Sequence, residues 1–379
     1  SVKVDTGYVV HTVKGDYQLA ADYADLSLAS LAKQNQDRFS SSYNPDIIDT
    51  ENYGLENCDM IENDFTGAYQ STAPLLEAQE YIFTNKNSIE SIFELQYSSG
   101  EQENSAVNHL YGYSTGSHLE VSQDALGVCY GGWGNAKYDS RMWVGAQNLV
   151  TTSSSSSSTA LSGYYCVKWQ RPDVNWTGQQ TSREIKNVEI SSNKWRNWII
   201  YRMTDVMLMK AEALACIGGA ANNTLAKNIV NAIHRRSYCN YNESKPVSPD
   251  LTSGSTNGNA TNNSDIVVMV LNERQIELLG EGKRWFDLVR YAERNSDSAS
   301  EAADEREATQ EKHVGNGQKG MIKMVDTFLR NAYSNYYTTL KNRFKNRYGL
   351  YSPIYYMDVK ASDGKLHQNP VWNKSKYDQ

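Results

Sequence analysis

The chain lacks any run of about 18 apolar residues, so no stretch of it is built to cross a bilayer as a helix. Positive charge is not in surplus. Lys and Arg number 37 against 44 Asp and Glu, and a net charge of -7 leaves no electrostatic footprint for nucleic acid or anionic lipid. The five cysteines (Cys58, Cys129, Cys166, Cys216, Cys239) contain no C-x-x-C pair and are odd in number, which argues against a zinc site or a disulfide framework. Cys216 and Cys239 close successive expected helices at opposite ends of a hairpin, about 20 Å apart and beyond disulfide reach. The six histidines form no H-E-x-x-H or H-x-x-x-H pair, and neither G-x-S-x-G nor a phosphate-cradling glycine loop occurs. No catalytic residue, metal or cofactor is therefore expected. Phenylalanine is scarce (7) beside 26 tyrosines and 8 tryptophans, a balance that suits half-buried loops and binding surfaces better than deep core.

With 379 residues the chain can form two or three ordinary domains or one large one with a sizeable core. It begins SVKVDTGYVV, neither an initiator Met nor a signal peptide, and reads as a mature or trimmed segment. The most informative stretch runs from Asp265 to Arg294. Val267, Leu271, Leu278, Trp285 and Val289 fall near one helical stripe, with Glu273, Glu277, Glu281 and Arg284 beside it. Charges carried into such an apolar interior must be paired or cost several kcal/mol each. Arg274, Arg284 and Arg290 stand at helical neighbour positions and are the expected partners of Glu273, Glu277, Glu281 and Asp287. Gly280 and Gly282 flank Glu281, so a bend or helix–helix break is expected there. Paired carboxylates can do acid–base work, as in a glycosidase. An arginine nearby lowers a carboxyl pKa, however, whereas a general acid needs it raised, so the cluster reads as framework.

The rest divides by periodicity. Gly7 to Leu31 reads as a tyrosine-rich turn and a short helix (DYADLSLASLA), Asn35 to Tyr53 as loop, Pro74 to Phe83 as a short helix, and Asn87 to Tyr97 as a strand. From Gly100 to Ser192 no helical period holds, and the serine run Ser153–Ser158 reads as an exposed loop. Within this region Tyr164–Pro172 reads as a strand. Tyr201–Ile217 places Met203, Val206, Met207, Ala211, Leu214 and Ile217 on one helix face, stopped by Gly218-Gly219. A second helix from Asn223 to Arg236 completes an αα-hairpin in which Ala211, Ala213 and Ala215 allow close approach. A long helix is expected from Met321 to Arg347, then an extended piece at Pro353 and a coil.

The pattern N-E-R-Q-I-E-L-L-G-E-G-K-R-W-F-D-L-V-R (Asn272–Arg290) resembles the C-terminal signature of the SusD/RagB family. YRMTDVMLMKAEALACIGG with NIVNAIHRRS resembles that family's Arg-x-x-(Asp/Glu) helix and its following Asn-x-(Ile/Val)-x-x-Arg helix. Asp139–Arg141 resembles its Asp-x-Arg, and Lys168 its lysine on the following strand. Pro353 with Gln368, Asn369, Pro370 and Trp372 resembles its terminal motif, Tyr355 replacing a second proline, and Trp372 reads as an anchor packed on the body. The resemblance covers roughly Asp16 to Trp372. It implies a mainly α fold of tetratricopeptide-like helical pairs, with a long loop-rich region and short β-hairpins. One such domain over 1–379 divides into the start of the body (1–99), a loop-rich region (100–200), a helical core (201–295) and a C-terminal helix and coil (296–379). The family implies a lipid-anchored protein of the outer-membrane surface that binds an oligosaccharide or other nutrient and passes it to a SusC-like TonB-dependent transporter. The lipidated cysteine is expected upstream of this chain.

Pyranose faces stack on exposed Trp and Tyr, while their hydroxyl rims need amides, carboxylates and guanidinium groups. The stretch 100–200 supplies that mixture: Tyr130, Trp133, Asn135, Tyr138, Trp143, Trp169, Arg171, Asn175 and Trp176 are the candidate ligand residues. Trp195 and Trp198, just before the helix that starts at Tyr201, read as packing against it. Two other functions compete with a binding protein: a glycoside hydrolase using Glu273, Glu277 and Glu281, and a helical scaffold that binds only peptide or protein.

Overall fold

The computed structural model describes residues 3–5, 8–10, 13–38, 82–83, 86–98, 100, 102–111, 120–121, 141, 150–152, 158–160, 164–166, 168–169, 172–176, 183–188, 196–237, 266–295, 334–339 and 351–368. These residues are mostly helical, and the fold is mainly α. The chain forms two compact units, Ser1–Gly282 and Lys283–Gln379.

The first unit opens with a ribbon of β1 (Lys3–Asp5) and β2 (Tyr8–Val10), followed by α1 (Val13–Arg38). Helix α1 is far longer than the expected segment. Its apolar stripe continues through Ala21, Ala24, Leu28, Leu31 and Ala32, all buried, and no proline interrupts it. Its last turn is tied down from outside. Asn35 Nδ2 donates to the Ile89 carbonyl (2.6 Å) and Arg38 Nη2 to that of Asn87 (2.9 Å), so side chains of the last turn fasten the helix to the residues just before the strand, where loop is expected from Asn35 on.

Strand β3 (Ser91–Leu95) lies where the alternation places it. Only one of its side chains, that of Glu94, is buried. Glu94 is buried and accepts from Asn87 N (3.1 Å) and Asn197 Nδ2 (2.6 Å), while Phe93 and Leu95 are 53% and 43% exposed. Helix α2 (Ser105–Tyr111) follows, in a region without helical period. Short antiparallel ribbons come next: β4 (Glu120–Val121) pairs with β7 (Tyr164–Tyr165), β5 (Val150–Thr152) with β6 (Ser158–Ala160), and β8 (Pro172–Trp176) with β9 (Arg183–Val188). Ser158, read as the end of a loop, is the first residue of a strand. The expected strand Tyr164–Pro172 is only partly one. Strand β10 (Trp198–Arg202) returns to pair with β3, with irregularities between Ile199 and Tyr201 and between Tyr201 and Arg202.

The αα-hairpin forms as its spacing demands: α3 (Met203–Ile217) and α4 (Ala220–Ser237). Gly218 and Gly219 take φ of +76° and +90°, a region that glycine enters freely, and Gly218 N donates to Leu214 O at 3.0 Å. Helix α4 begins three residues earlier than expected, directly after this turn. Helix α5 (Ile266–Glu277) is buried on every side from Val268 to Arg274, as befits a helix at the centre of the unit. Residues of α1, α3, α4 and α5 share one core, in which Met207, Leu208, Ala211, Ala226, Ile229, Ile233 and Val270 are wholly covered. A second core gathers Ile82, Phe83, Val107, Tyr111, Cys166, Trp169 and Ile199. The expected break after α5 is present: Gly280 and Gly282 have φ of +80° and +74°.

In the second unit α6 (Arg284–Asn295) carries an Asp287–Arg290 pair at 2.6 Å. The helix expected from Met321 to Arg347 is not continuous. Ser334–Tyr336 form a turn of 3-10 helix and 337–339 are helical; the remainder lies outside the described residues. The expected terminal coil contains α7 (Tyr356–Ala361). Gln368 closes this segment by accepting from Ile354 N (2.9 Å) and donating to Ile354 O (2.7 Å). Trp372 lies outside the described residues.

Gly280 allows a sharp test of the break. A Cβ there would lie 2.6 Å from Cys166 Sγ, whereas one at Gly282 would meet nothing within 4 Å. Gly280→Ala is expected to lower stability by about 2–3 kcal/mol and Gly282→Ala by about 1 kcal/mol, read from urea unfolding midpoints. Equal losses would mean that backbone strain alone, not the approach of Cys166, sets the cost.

Candidate functional site

Glu273 and Glu277 are one turn apart and so share a face of α5. The glycine turn after the helix brings Glu281 back to the same place. All three carboxylates are buried, their side chains 0, 0 and 4% exposed. Their partners come from elsewhere in the chain. Arg141 Nη1 donates to Glu273 Oε1 (2.5 Å) and Glu277 Oε2 (3.1 Å). Arg202, at the junction of β10 and α3, donates to Glu281 through Nε (2.9 Å) and Nη2 (2.8 Å), and through Nη1 to Glu277 Oε1 (2.7 Å). Arg236, near the end of α4, spans Glu90 Oε1 and Glu277 Oε1, both at 2.5 Å. Lys168 Nζ reaches Glu281 Oε1 (2.8 Å) and the Glu277 carbonyl (2.6 Å). Four carboxylates (Glu90, Glu273, Glu277, Glu281) thus meet four cations (Arg141, Lys168, Arg202, Arg236) in one charge-balanced knot.

The expected local pairing is corrected here. Arg274 neighbours Glu273 in sequence but points to another side of α5, where it pairs with Asp205 of α3 at 2.9 Å. Of the expected pairs, Arg290 with Asp287 forms. Helical-neighbour rules describe an isolated helix, whereas α5 is packed all round, so its acids find their partners across the core.

The electrostatics follow from burial and these contacts. Burial alone would push the Glu277 carboxyl up, but Arg236, Arg202, Arg141 and Lys168 together hold it well below the usual carboxylate range. The same opposition lowers Glu281, through Arg202 and Lys168, and Glu273, through Arg141 and His234, whose Nδ1 lies 3.6 Å from Glu273 Oε2. For Arg202, burial is overridden by Glu281, Glu277 and Glu90, so its proton is held more firmly than usual. Nearby, burial pushes the Cys166 thiol up to about 11, partly offset by Lys168, and it also raises the Tyr111 hydroxyl. Tyr111 Oη donates to the Gly280 carbonyl. Acids that are buried, clamped and held ionised have neither the raised pKa of a proton donor nor contact with solvent. Such a knot fastens elements together.

One candidate ligand residue is corrected by the structure. Trp169 is 0% exposed, stacked on Tyr111 (4.6 Å between centroids) and Trp198 (5.2 Å), with Phe83 edge-on at 4.8 Å. It is a core residue, because the second core needs a large flat side chain between α2 and β10. Trp198 is a packing residue too, though its ring contacts are with Trp169 and Tyr111 of the second core and not with the helix that follows it. Trp176 and Asn175 lie in β8, opposite Arg183 and Glu184 of β9. Tyr130, Trp133, Asn135, Tyr138, Trp143, Arg171 and Trp195 lie outside the described residues. Among residues not singled out from sequence, Glu90 completes the knot; a lone acid before a strand gives no periodic signal.

Comparison with known proteins places the chain among relatives. The model of the SusD family matches residues 89–372. SusD-like protein P38 of Formosa agariphila is 36% identical over 94 residues, 25% of this chain and 17% of that protein. A SusD homolog from Bacteroides thetaiotaomicron aligns with 98% of this chain and 63% of its own at 16% identity and a TM-score of 0.46. Surface glycan-binding protein A of the same organism aligns over 97% and 66%, at 17% identity and a TM-score of 0.40. A SusD superfamily protein from Bacteroides vulgatus aligns over 93% and 62%, at 16% and 0.43. The chain spans less than two thirds of the length of each of these proteins.

Two outcomes test the knot. Carboxylates lowered in the folded state contribute stability above their unfolded pKa of about 4.3, and that stability is lost as pH falls through the lower folded values. The urea midpoint should therefore be level from about pH 5 to 7 and fall steeply below about pH 4, with a shallower fall in Glu277→Gln. Arg202→Met, which leaves Glu281 to Lys168 alone and takes one of three guanidinium groups from Glu277, should cost about 3–5 kcal/mol in the same titration at pH 7.

Proposed function

Since the chain belongs to the SusD family, we propose that it is a non-enzymatic binding protein of the outer-membrane surface, held there by a lipid anchor. It captures an oligosaccharide and passes it to a TonB-dependent, SusC-like transporter. The observation that carries this reading is the family match over residues 89–372. The ionic knot supports it from the chemical side. Glu273, Glu277 and Glu281, which a hydrolase would need exposed and tunable, are each committed to buried cations.

Capture then belongs to the loop-rich stretch. Tyr130, Trp133, Tyr138, Trp143 and Trp176 supply flat faces for sugar rings, and Asn135, Asn175 and Arg171 supply donors for hydroxyl groups. Oligosaccharides are uncharged or acidic polyols, and stacking with hydrogen bonding suits them without help from net charge. The helical pair α3–α4 belongs to the body that presents this region.

The test is native electrophoresis in gels containing different polysaccharides. At least one glycan should retard the protein, and Trp133→Ala or Trp143→Ala should weaken the retardation by at least about tenfold in affinity, the loss of one stacked aromatic. Incubation with the same glycans should release no sugar. Sugar release abolished in Glu277→Gln would instead establish a hydrolase, and peptide binding without glycan retardation would establish a protein-binding scaffold.

A further inference from the structure

Helix α1 has two apolar sides, and the helical core uses one of them. Ala21, Leu28 and Leu31 are buried along that side, with Ala24 and Ala32 beside them. On the opposite side Leu19, Tyr23 and Leu26, spaced by four and three residues, form a second stripe; they are 39, 66 and 65% exposed. A helix whose outer side meets only water carries polar residues there, whereas apolar stripes on both sides suit a helix lying between two layers. We propose that the outer stripe is an interface with a second copy of this chain, the two α1 helices lying antiparallel about a two-fold axis at Leu26.

The stripe complements itself in that arrangement. Leu26 meets its own copy. Tyr23, three residues before the axis, falls opposite Ala29, three after it, where a small side chain leaves room for the ring. Leu19 falls opposite Lys33, whose methylene stem covers it while the ammonium reaches Asp22, three residues along. Asp22 and Lys33 are exposed and lie on the same flank of the stripe, and like flanks meet in an antiparallel pair. The two-fold axis repeats the contact, so two acid–base pairs frame the apolar centre. A parallel pair would instead set Lys33 against Lys33 and Asp22 against Asp22. Both charges are available. Asp22 uses one oxygen to accept from Gln18 (2.8 Å), and among the described residues Lys33 forms no ion pair within the chain. Asp25, away from the stripe, is already taken up by Lys210 of α3 at 2.5 Å. From Leu19 to Lys33 the contact is about 20 Å long, shorter than a standard interface spans, so the dimer is a weak one of micromolar order.

The experiment is sedimentation velocity of the whole chain from about 2 to 200 µM. It is run without glycan, so its outcome is independent of the ligand reading. The wild-type chain should shift reversibly from monomer to dimer across this range. Leu26→Glu, which sets two carboxylates together at the axis, should remain monomeric throughout. Lys33→Asp should weaken the dimer by about tenfold or more, and Asp22→Lys/Lys33→Asp should recover most of that loss, a rescue that damage to the fold does not give. Under mild oxidation Leu26→Cys should form an intermolecular disulfide faster than Leu19→Cys, which has a lysine opposite, and faster than wild type with its five cysteines alone. The substituted side chains are exposed, so urea midpoints should stay at the wild-type value. A monomer at every concentration would overturn the proposal and leave the stripe to a different helix. So would a dimer that Leu26→Glu does not dissociate, or Leu26→Cys cross-linking no faster than Leu19→Cys.

Discussion

A carboxylate taken out of water must find cations, and this constraint organises the first unit. Glu277 is the centre of the response. It draws Arg141 from the loop-rich region, Arg202 from the end of a strand and Arg236 from the last turn of a helix, while Lys168 reaches its carbonyl. Each cation belongs to a separate element, so the elements are fixed relative to one another in a single arrangement. Apolar packing alone tolerates sliding of neighbouring helices; a set of forked, charge-assisted hydrogen bonds does not. Stability from such a knot is modest once desolvation is counted, and its specific contribution is geometry.

Around it the two cores divide the work. The helical core of α1, α3, α4 and α5 is built from alanine, leucine, isoleucine and methionine at helical spacing. The second is aromatic, with Trp169 between Tyr111 and Trp198, and Lys168 and Arg202 lie 5.2 and 5.5 Å from the Phe83 ring centroid. That contact joins the aromatic core to the knot. Gly280 lies at the same junction, where a missing side chain leaves room for Cys166.

Local signals made much of this legible. The stripe of Met203, Met207, Ala211 and Leu214 and the Gly218-Gly219 stop define a helix and its end without reference to the rest of the chain, and so do the Gly280 and Gly282 break points. The alternation at 91–95 gives a strand in the same way, though not which side faces in. What was not legible depends on distance. Arg202 and Arg236 stand in recognisable motifs, but nothing local says that both converge on Glu277. The extra turns of α1 depend on Asn87 and Ile89, some fifty residues on. Trp169 shares its composition with loop tryptophans, and only the stacking of Tyr111 and Trp198 makes it interior. Most of the candidate ligand residues lie outside the described part, so their reading stands on chemistry and on the family.

Equal numbers of opposite charges inside the knot have an outward effect. The formal excess of seven negative charges must be carried wholly by the rest of the chain, since the knot's four acids and four bases cancel. Dissolved ions that screen the exterior do not enter a sealed, neutral interior. Colloidal behaviour and long-range attraction can therefore drift through evolution, one surface residue at a time, while the internal fastening stays untouched.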